Sequence, residues 1–303
     1  MKHNKLYYLL HPKAGFHALR MKIDDRYAIQ YQWYSFMNYP LNLHNPKTYC
    51  EKLQWLKLYD RNPIYTTMVD KHRVKEWIAN KVGEEYVIPT LMVYDSVDEI
   101  NLDQLPQKFV LKCNHDSGSV VICHDKSMFD LESAKKKLGW ALKHNYYWNS
   151  REWPYKHVKK CVIAEQFLEV TEDHNIVGSM PQDYKFYCFN GEPRLFYITS
   201  DRENNGEVRE DFFDLNGNLL KLNQVGYYNN PNTPALPKNL GKMIAMARVL
   251  AKGTYHLRVD FYEVNGNIFV GELTFFDGGG YVEFIPTEYN AILGSWIHLP
   301  IEK

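Results

Sequence analysis

The sequence predicts an α+β protein in layered lobes, with helices first and mostly antiparallel strands later. Three observations predict it. Apolar residues recur at three- and four-residue spacing, with charges opposite, over 47–60 (KTYCEKLQWLKLYD), 67–80 (TMVDKHRVKEWIAN), 130–146 (DLESAKKKLGWALKHNY) and 238–253 (KNLGKMIAMARVLAKG), so each stretch reads as a helix. Apolar or alternating runs fit strands at 108–113, 119–123, 161–170, 183–190, 193–199, 257–264 and 267–274. Asn-Gly pairs at 190–191, 216–217 and 265–266 suit tight hairpins between them. This order does not suggest a doubly wound dinucleotide fold.

Composition bounds the function. At 303 residues, 45% hydrophobic and 24% charged, the chain is long enough for two or three lobes with a real core. Thirty-six basic residues balance thirty-six acidic ones, so no global field favours nucleic acid or an anionic membrane, while a local basic cleft for phosphates stays open. The first apolar stretch, LYYLL, is shorter than a signal-peptide core. No run approaches the roughly twenty apolar residues of a membrane span, so stable membrane insertion is not expected. The five cysteines, Cys50, Cys113, Cys123, Cys161 and Cys188, lie in or beside apolar runs without CxxC spacing, which reads as buried thiols in a reducing cytoplasm. Aromatic clusters in YAIQYQWYSFMNYP and HNYYWNSREWPY suit either the seams between lobes or a rim around a polar ligand. The polar stretches 201–210 and 229–239 read as loops between elements.

The most informative segment is HLRVDFYEVNGNIFVGELTFFDGGG, residues 256–280. Two alternating runs around Asn265-Gly266 would bring Asp260 and Glu272 face to face, with Arg258 beside them. Two carboxylates and a guanidinium at a sheet end, followed by three glycines, are the parts needed to hold Mg²⁺ on a nucleotide and steady a transferring phosphoryl group. A hairpin with one polar face is the plainer account of the same charges.

KFVLKCNHDSGSVVICHD offers a grip for phosphate. Lys112 ends one strand, and Ser117, Gly118 and Ser119 can lay backbone N–H groups over phosphate oxygens, since glycine allows close approach. It is not a P-loop: GxxxxGK[ST] is lacking and no helix follows. His115, alone in a polar loop, is expected to be solvated. In CVIAEQFLEVTEDHN an apolar strand carries Glu165 and then Phe167 and Leu168, a seam that suits a purine, with Glu172 and Asp173 downstream to accept ribose hydroxyl protons. DYKFYCFNGEPRLF then puts Lys185 on a strand facing the same region.

In this order the pieces resemble the ATP-grasp superfamily over roughly residues 66–280. Long segments further resemble its TupA-like branch, named after a teichuronopeptide biosynthesis protein: LNLHNPKTYCEKLQWLKLYDRNP, VDKHRVKEWI, SREWPYK, DYKFYCFNGEPRLFYITSDR, ELTFFDGGG and FIPTEYNAILGSWIHLP. The resemblance implies two α+β lobes clamping ATP behind a helical N-terminal extension, divided as 1–62, 63–170 and 171–303. It implies Lys71 and Lys112 on ATP phosphates under a lid formed by 114–119, Glu165 and the backbone near Leu168 on adenine, and Glu172 on ribose, with Glu169 as its rival. Lys185 would approach the phosphates from the facing sheet, Arg258 would stabilise an acyl phosphate, and Asp260 and Glu272 would hold Mg²⁺, with Mn²⁺ as the alternative ion. One departure stands out: Glu272-Leu273-Thr274 replaces the common Glu-x-Asn, and a threonine hydroxyl is a poorer cation ligand than an amide carbonyl. The second metal position would then be weak, completed by water, or supplied by Asp277.

The activity implied is an ATP-dependent carboxylate–amine ligase that activates a small-molecule or glycan carboxylate as an acyl phosphate in capsule, teichuronopeptide or lipopolysaccharide assembly. A sugar-nucleotide glycosyltransferase is the competing reading, and a nucleotide-binding module without chemistry is a third. The former would want a DxD-like motif at a strand end, which the chain lacks. Intact Arg258, Asp260 and Glu272 count against the latter.

Overall fold

A computed structural model describes residues 12–171, 181–200 and 208–301. The described residues begin with two helices, α1 (Pro12–Ile23) and α2 (Asp25–Met37), which periodicity alone did not single out. Asp24 caps α2 by accepting from the Tyr27 N–H at 2.9 Å. Helix α3 (Tyr49–Tyr59) begins in a reciprocal capping box between Thr48 and Glu51, inside the range predicted from its periodicity.

The single helix expected over 67–80 is instead two, α4 (Ile64–Val69) and α5 (Val74–Val82). Asp70 breaks the run, because its carboxylate accepts from the N–H groups of His72 and Arg73 at 3.0 and 3.2 Å and offers them a local alternative to helix bonds. Lys71 therefore sits in a turn and Lys75 in the first turn of α5.

The first sheet contains β1 (Thr90–Tyr94), β2 (Phe109–Cys113), β3 (Val120–Cys123) and β4 (Val162–Gln166), all antiparallel in the order β1-β4-β2-β3. Strand β1 was not anticipated, and β4 stops at Gln166 rather than 170. Helix α6 (Leu131–Lys143) covers this sheet, burying Leu138 and Ala141 with Phe109, Leu111 and Val162. The short helix α7 (Tyr147–Ser150) leads into β4.

The second sheet is built from β5 (Asp183–Phe189), β6 (Glu192–Ser200), β7 (Arg209–Asp214), β9 (His256–Val264) and β10 (Asn267–Thr274), in the order β10-β9-β5-β6-β7. Helix α8 (Leu240–Ala251) packs on one face against Phe186, Phe196, Phe213 and Phe261, a row of stacked and edge-on rings. A two-stranded ribbon of β8 (Asn223–Gln224) and β11 (Phe284–Ile285), followed by α9 (Glu288–Trp296), closes the fold. Residues of α2 to α5 share the core of this second sheet: Trp33, Tyr49, Leu53, Met68 and Ile78 are buried with Phe189, Leu257 and Leu293.

Two of the Asn-Gly pairs form tight turns with both residues at positive φ, Asn190-Gly191 (49° and 85°) and Asn265-Gly266 (49° and 78°). Asn216-Gly217 closes only a single bridge, Phe213 to Leu219. All five cysteines are buried and free, as expected. The aromatic clusters divide: Trp33, Tyr147 and Tyr155 are core, whereas Tyr34, Phe36 and Trp148 face outward. Among the described residues no helix is long and apolar enough to cross a membrane.

Candidate active site

The face of the second sheet away from α8 is polar, and strand pairing fixes its rows. Glu272, Asp260, Lys185 and Tyr197 lie side by side across β10, β9, β5 and β6, with Thr274, Arg258 and Tyr187 in the neighbouring row. A bulge makes this possible. Val270 pairs with Phe261 but Glu272 pairs with Asp260, so Gly271 is the extra residue and β10 changes face there. A side chain at Gly271 would collide with the Tyr262 ring, 2.7 Å from the position of its Cβ.

Asp260 is 2% exposed and accepts from Arg258 Nε and Nη2, both at 2.7 Å, and from Lys185 Nζ at 2.7 Å. Burial works against its charge, but the guanidinium and the ammonium hold the carboxyl down at about 2. Lys185 also meets Asp183 at 2.7 Å. Arg258 is fully engaged: Nη2 donates to Thr274 Oγ1 at 3.2 Å, and Nη1 donates to Asp277. Thr274 thus faces the guanidinium. Asp277 is buried and also accepts from Tyr187 and, at 3.1 Å, from Gln224.

The three glycines after Asp277 turn the chain through successive φ values of 52°, 64° and 75°, a left-handed run that strongly favours glycine. Helix α3 props it. Gln54 donates to the Gly280 carbonyl at 2.6 Å, and Lys57, wholly buried, donates to those of Gly279 and Ser150 at 2.5 and 2.8 Å. Burial lowers Lys57 to about 8, against the pull of Glu152. Sequence reasoning missed Lys57, which looked like one charge on a helix face.

The first sheet contributes a second cluster. Glu165 on β4 is 4% exposed and is gripped by Lys112 Nζ at 2.5 Å and Lys75 Nζ at 2.7 Å. Its burial opposes ionisation, yet the two lysines keep its carboxyl below the ordinary range. Lys75 further donates to the Ile88 carbonyl and Thr90 Oγ1 at 2.8 and 2.7 Å, and burial lowers its own pKa despite Glu165. Lys75 was also missed. Its signal was the spacing Lys71-x-x-x-Lys75, which only the break at Asp70 converts into a lysine beside β4.

Lys71 joins the clusters. Its Nζ lies 2.9 Å from Glu272 Oε1 and donates to the Asp116 carbonyl at 2.6 Å. Burial would lower Lys71, but Glu272 more than offsets it, and in return Glu272 is held below the usual carboxylate range.

The 114–119 segment is anchored at both ends. The Asn114 side chain donates to Asp70 and the Lys159 carbonyl at 2.8 and 2.9 Å and accepts from the Cys161 N–H at 2.9 Å. Ser119 Oγ accepts from the Cys113 N–H at 3.2 Å and donates to Asp116. Only the tip at Ser117 and Gly118 is open, with Gly118 at φ 91° and nothing within 4 Å of its Cβ position. His115 is not solvated: it is 1% exposed, its Nε2 is 3.1 Å from the His144 carbonyl, and burial lowers its pKa.

After β4, Leu168 is half-buried and Glu169 pairs with Lys108. Asn265 of the β9–β10 turn clamps this hinge, its amide donating to the Glu169 carbonyl and accepting from the Thr171 N–H, both at 2.9 Å. Glu172 and Asp173 lie outside the described residues. Among the described residues no group of three or more His, Cys, Asp or Glu side chains could hold a metal. Asp260 and Glu272, paired across strands, are carboxylates of the kind through which Mg²⁺ binds, with phosphate and water completing its shell; Lys71 meets only Oε1 of Glu272, whereas both oxygens of Asp260 accept from Arg258 and Lys185.

Residues 51–298 match the family described as TupA-like ATPgrasp, and the chain belongs to this family. No curated protein matches it. Among solved structures it is similar to D-alanine–D-alanine ligase from Bacillus anthracis complexed with ATP, at 16% identity over 76% of this chain and 63% of that one, TM-score 0.40. It is also similar to the ATP-grasp ligase PsnB complexed with a phosphomimetic variant of minimal precursor, Mg and ADP, at 12% identity over 81% and 65%, TM-score 0.41. The chain thus spans less than two thirds of the length of either protein, and the family assignment stands on the 51–298 match alone.

Proposed function

We propose that this protein is an ATP-dependent carboxylate–amine ligase that forms an amide through an acyl phosphate, acting in cell-surface polysaccharide assembly on the cytoplasmic side. One observation carries the reading: Lys71, in the α4–α5 turn, bonds the Asp116 carbonyl of the loop between β2 and β3 and meets Glu272 on the Arg258–Asp260–Glu272 face of the second sheet at 2.9 Å. A carboxylate resists attack because its own charge repels nucleophiles and oxide is a poor leaving group. Phosphorylation supplies a leaving group, but it brings two anions together.

Lys75 and Lys112 would bind ATP phosphates, with Lys71 approaching from the α4–α5 turn and the Ser117–Gly118–Ser119 backbone closing above. Because the Glu165 carboxylate is taken by Lys75 and Lys112, it would orient those lysines, leaving the purine edge to the backbone near Leu168; Glu172 remains the ribose candidate. Lys185 and Arg258 would offset charge that develops on the transferring phosphoryl group, an effect worth several kcal/mol in such sites. Asp260 and Glu272 would hold Mg²⁺, which supplies charge neutralisation and orientation of phosphate oxygens. Water must be excluded, since an acyl phosphate hydrolyses.

The substrates would be a glycan or small-molecule carboxylate, such as a carboxylated sugar or an amino acid, and an amine. A panel of acid and amine pairs, read by ADP release with mass detection of the amide, tests this. The reading predicts ADP and amide in equal amounts for one pair class; amide formation without ADP contradicts it.

A further inference from the structure

Helix α1 carries an apolar stripe on its outer face. Phe16, Leu19 and Ile23 are 67%, 55% and 75% exposed, and spacings of three and four residues set them on one side of the helix. The other side is the packed one: His17 Nδ1 lies 2.8 Å from Tyr27 OH, and the Met21 carbonyl accepts from Arg151. A single exposed leucine needs no explanation, whereas three large apolar side chains in a row mark an interaction surface.

Charge gives an independent indication of the partner. Residues 1–23 contain Lys2, Lys5, Lys13, Arg20 and Lys22 and no carboxylate, leaving thirty-one cations against thirty-six carboxylates in the rest of the chain. A chain of zero net charge therefore concentrates a charge of +5 at this end. Arg20 and Lys22 are exposed beside the stripe. Arg20 is 3.3 Å from Asp24 and lies 4.1 Å over the Tyr27 ring, which leaves its stem along the helix surface. Of the first carboxylates, Asp24 caps α2 with one oxygen and meets Arg20 with the other, and Asp25 accepts from Tyr147. Helix α1 also precedes the segment matched to the family, residues 51–298.

We propose that α1 is a docking helix for an anionic lipid surface: Phe16, Leu19 and Ile23 enter the headgroup–acyl boundary while the basic side chains meet anionic headgroups. With twelve residues it is about 18 Å long, so it lies on the membrane and does not cross it. The surface stands on α1 and its charge, whether or not the ligase reading holds. Were both correct, the nucleotide site would be held beside lipid-anchored acceptors.

The test is co-sedimentation of the full chain with vesicles of phosphatidylcholine alone or containing about a third phosphatidylglycerol, at low and high salt. Binding should be about tenfold or more stronger on the anionic vesicles and should weaken with salt. The triple change Phe16→Glu, Leu19→Glu, Ile23→Glu should lower it at least about tenfold with an unchanged melting temperature, since these side chains are already exposed. Lys13→Gln with Arg20→Gln and Lys22→Gln should lower it too. No preference for anionic vesicles, or full binding by the triple variant, overturns the proposal. So does a chain that ignores vesicles yet is dimeric by light scattering and becomes monomeric in the triple variant, which would make the stripe an interface between copies. Vesicle binding that emerges only when residues 1–11 are removed also overturns it, by assigning the stripe to the chain's own N-terminus.

Discussion

Glu272→Gln should separate chemistry from folding, and the same change at its cross-strand partner should not. The Lys71–Glu272 pair closes at 2.9 Å with side chains 12% and 31% exposed. At an effective dielectric of ~20 that separation corresponds to a gross attraction of ~6 kcal/mol. Most is offset by desolvation and ordering, and Lys71 keeps the Asp116 carbonyl, so the net stability loss should be about 1 kcal/mol, or about 2–4 °C in melting temperature. Turnover should fall ~100- to 1000-fold, about 3–4 kcal/mol, because a neutral amide offsets less cation charge at the transferring phosphoryl group. Asp260→Asn differs. It leaves Arg258 and Lys185 buried without their shared anion, a cost of about 3–5 kcal/mol, so fold and activity should fail together. Melting curves and ADP release on the same preparations measure both. Near-normal turnover in Glu272→Gln would refute the metal assignment, and a melting loss as large as that of Asp260→Asn would refute the separation.

Lys75→Met and Lys112→Met should each weaken ATP binding about tenfold or more while leaving AMP nearly unchanged, since both lysines are assigned to phosphates beyond the first; equal losses in calorimetry would contradict this. Hydrogen exchange should slow at Ser117 and Gly118 on adding ATP and Mg²⁺, with little change at Asn114, which is already bonded to Cys161; protection elsewhere but not at the tip would remove the lid. His256 is neutral, held between Tyr49 OH at 3.0 Å and the Phe275 carbonyl at 2.9 Å, and burial lowers it to about 4. Its contribution is therefore complete above its ordinary pKa and is lost as pH falls toward 4, by about 3 kcal/mol in denaturant titrations. His256→Gln should be less acid-sensitive than the parent; equal sensitivity would assign the loss to other groups.

Periodicity located the elements that carry the site but not the irregularities that aim it. A two-residue turn at Asn265-Gly266 alone would set Asp260 opposite Gly271, and Glu272 opposite Val259 on the apolar face. The bulge at Gly271 restores the carboxylate pair, and its only trace in the sequence is a glycine inside a strand. The same holds for Asp70, which looks like a polar position on a helix but breaks it and sends Lys71 toward Glu272 and Lys75 toward Glu165. Lys112, Lys185, Arg258 and Asp260 lay on well-patterned strands, where alternation alone assigns a face. Glu165 was legible as a carboxylate on an apolar strand, expected to be exposed at the seam, but not as the buried partner of two lysines, because one of them comes from a helix start distant in the chain. His115 and Lys57 were opaque for the opposite reason: a polar residue's burial depends on carbonyls supplied by distant segments, His144 for one and Ser150 and Gly279 for the other.

The proposed ligase activates a carboxylate by phosphorylation in this site. With substrate carrying ¹⁸O in its carboxylate, amide formation should release phosphate with one heavy oxygen, because that oxygen leaves with the phosphoryl group. Phosphate without the label, while amide accumulates, would contradict the acyl phosphate and with it the role assigned to the Arg258–Asp260–Glu272 face.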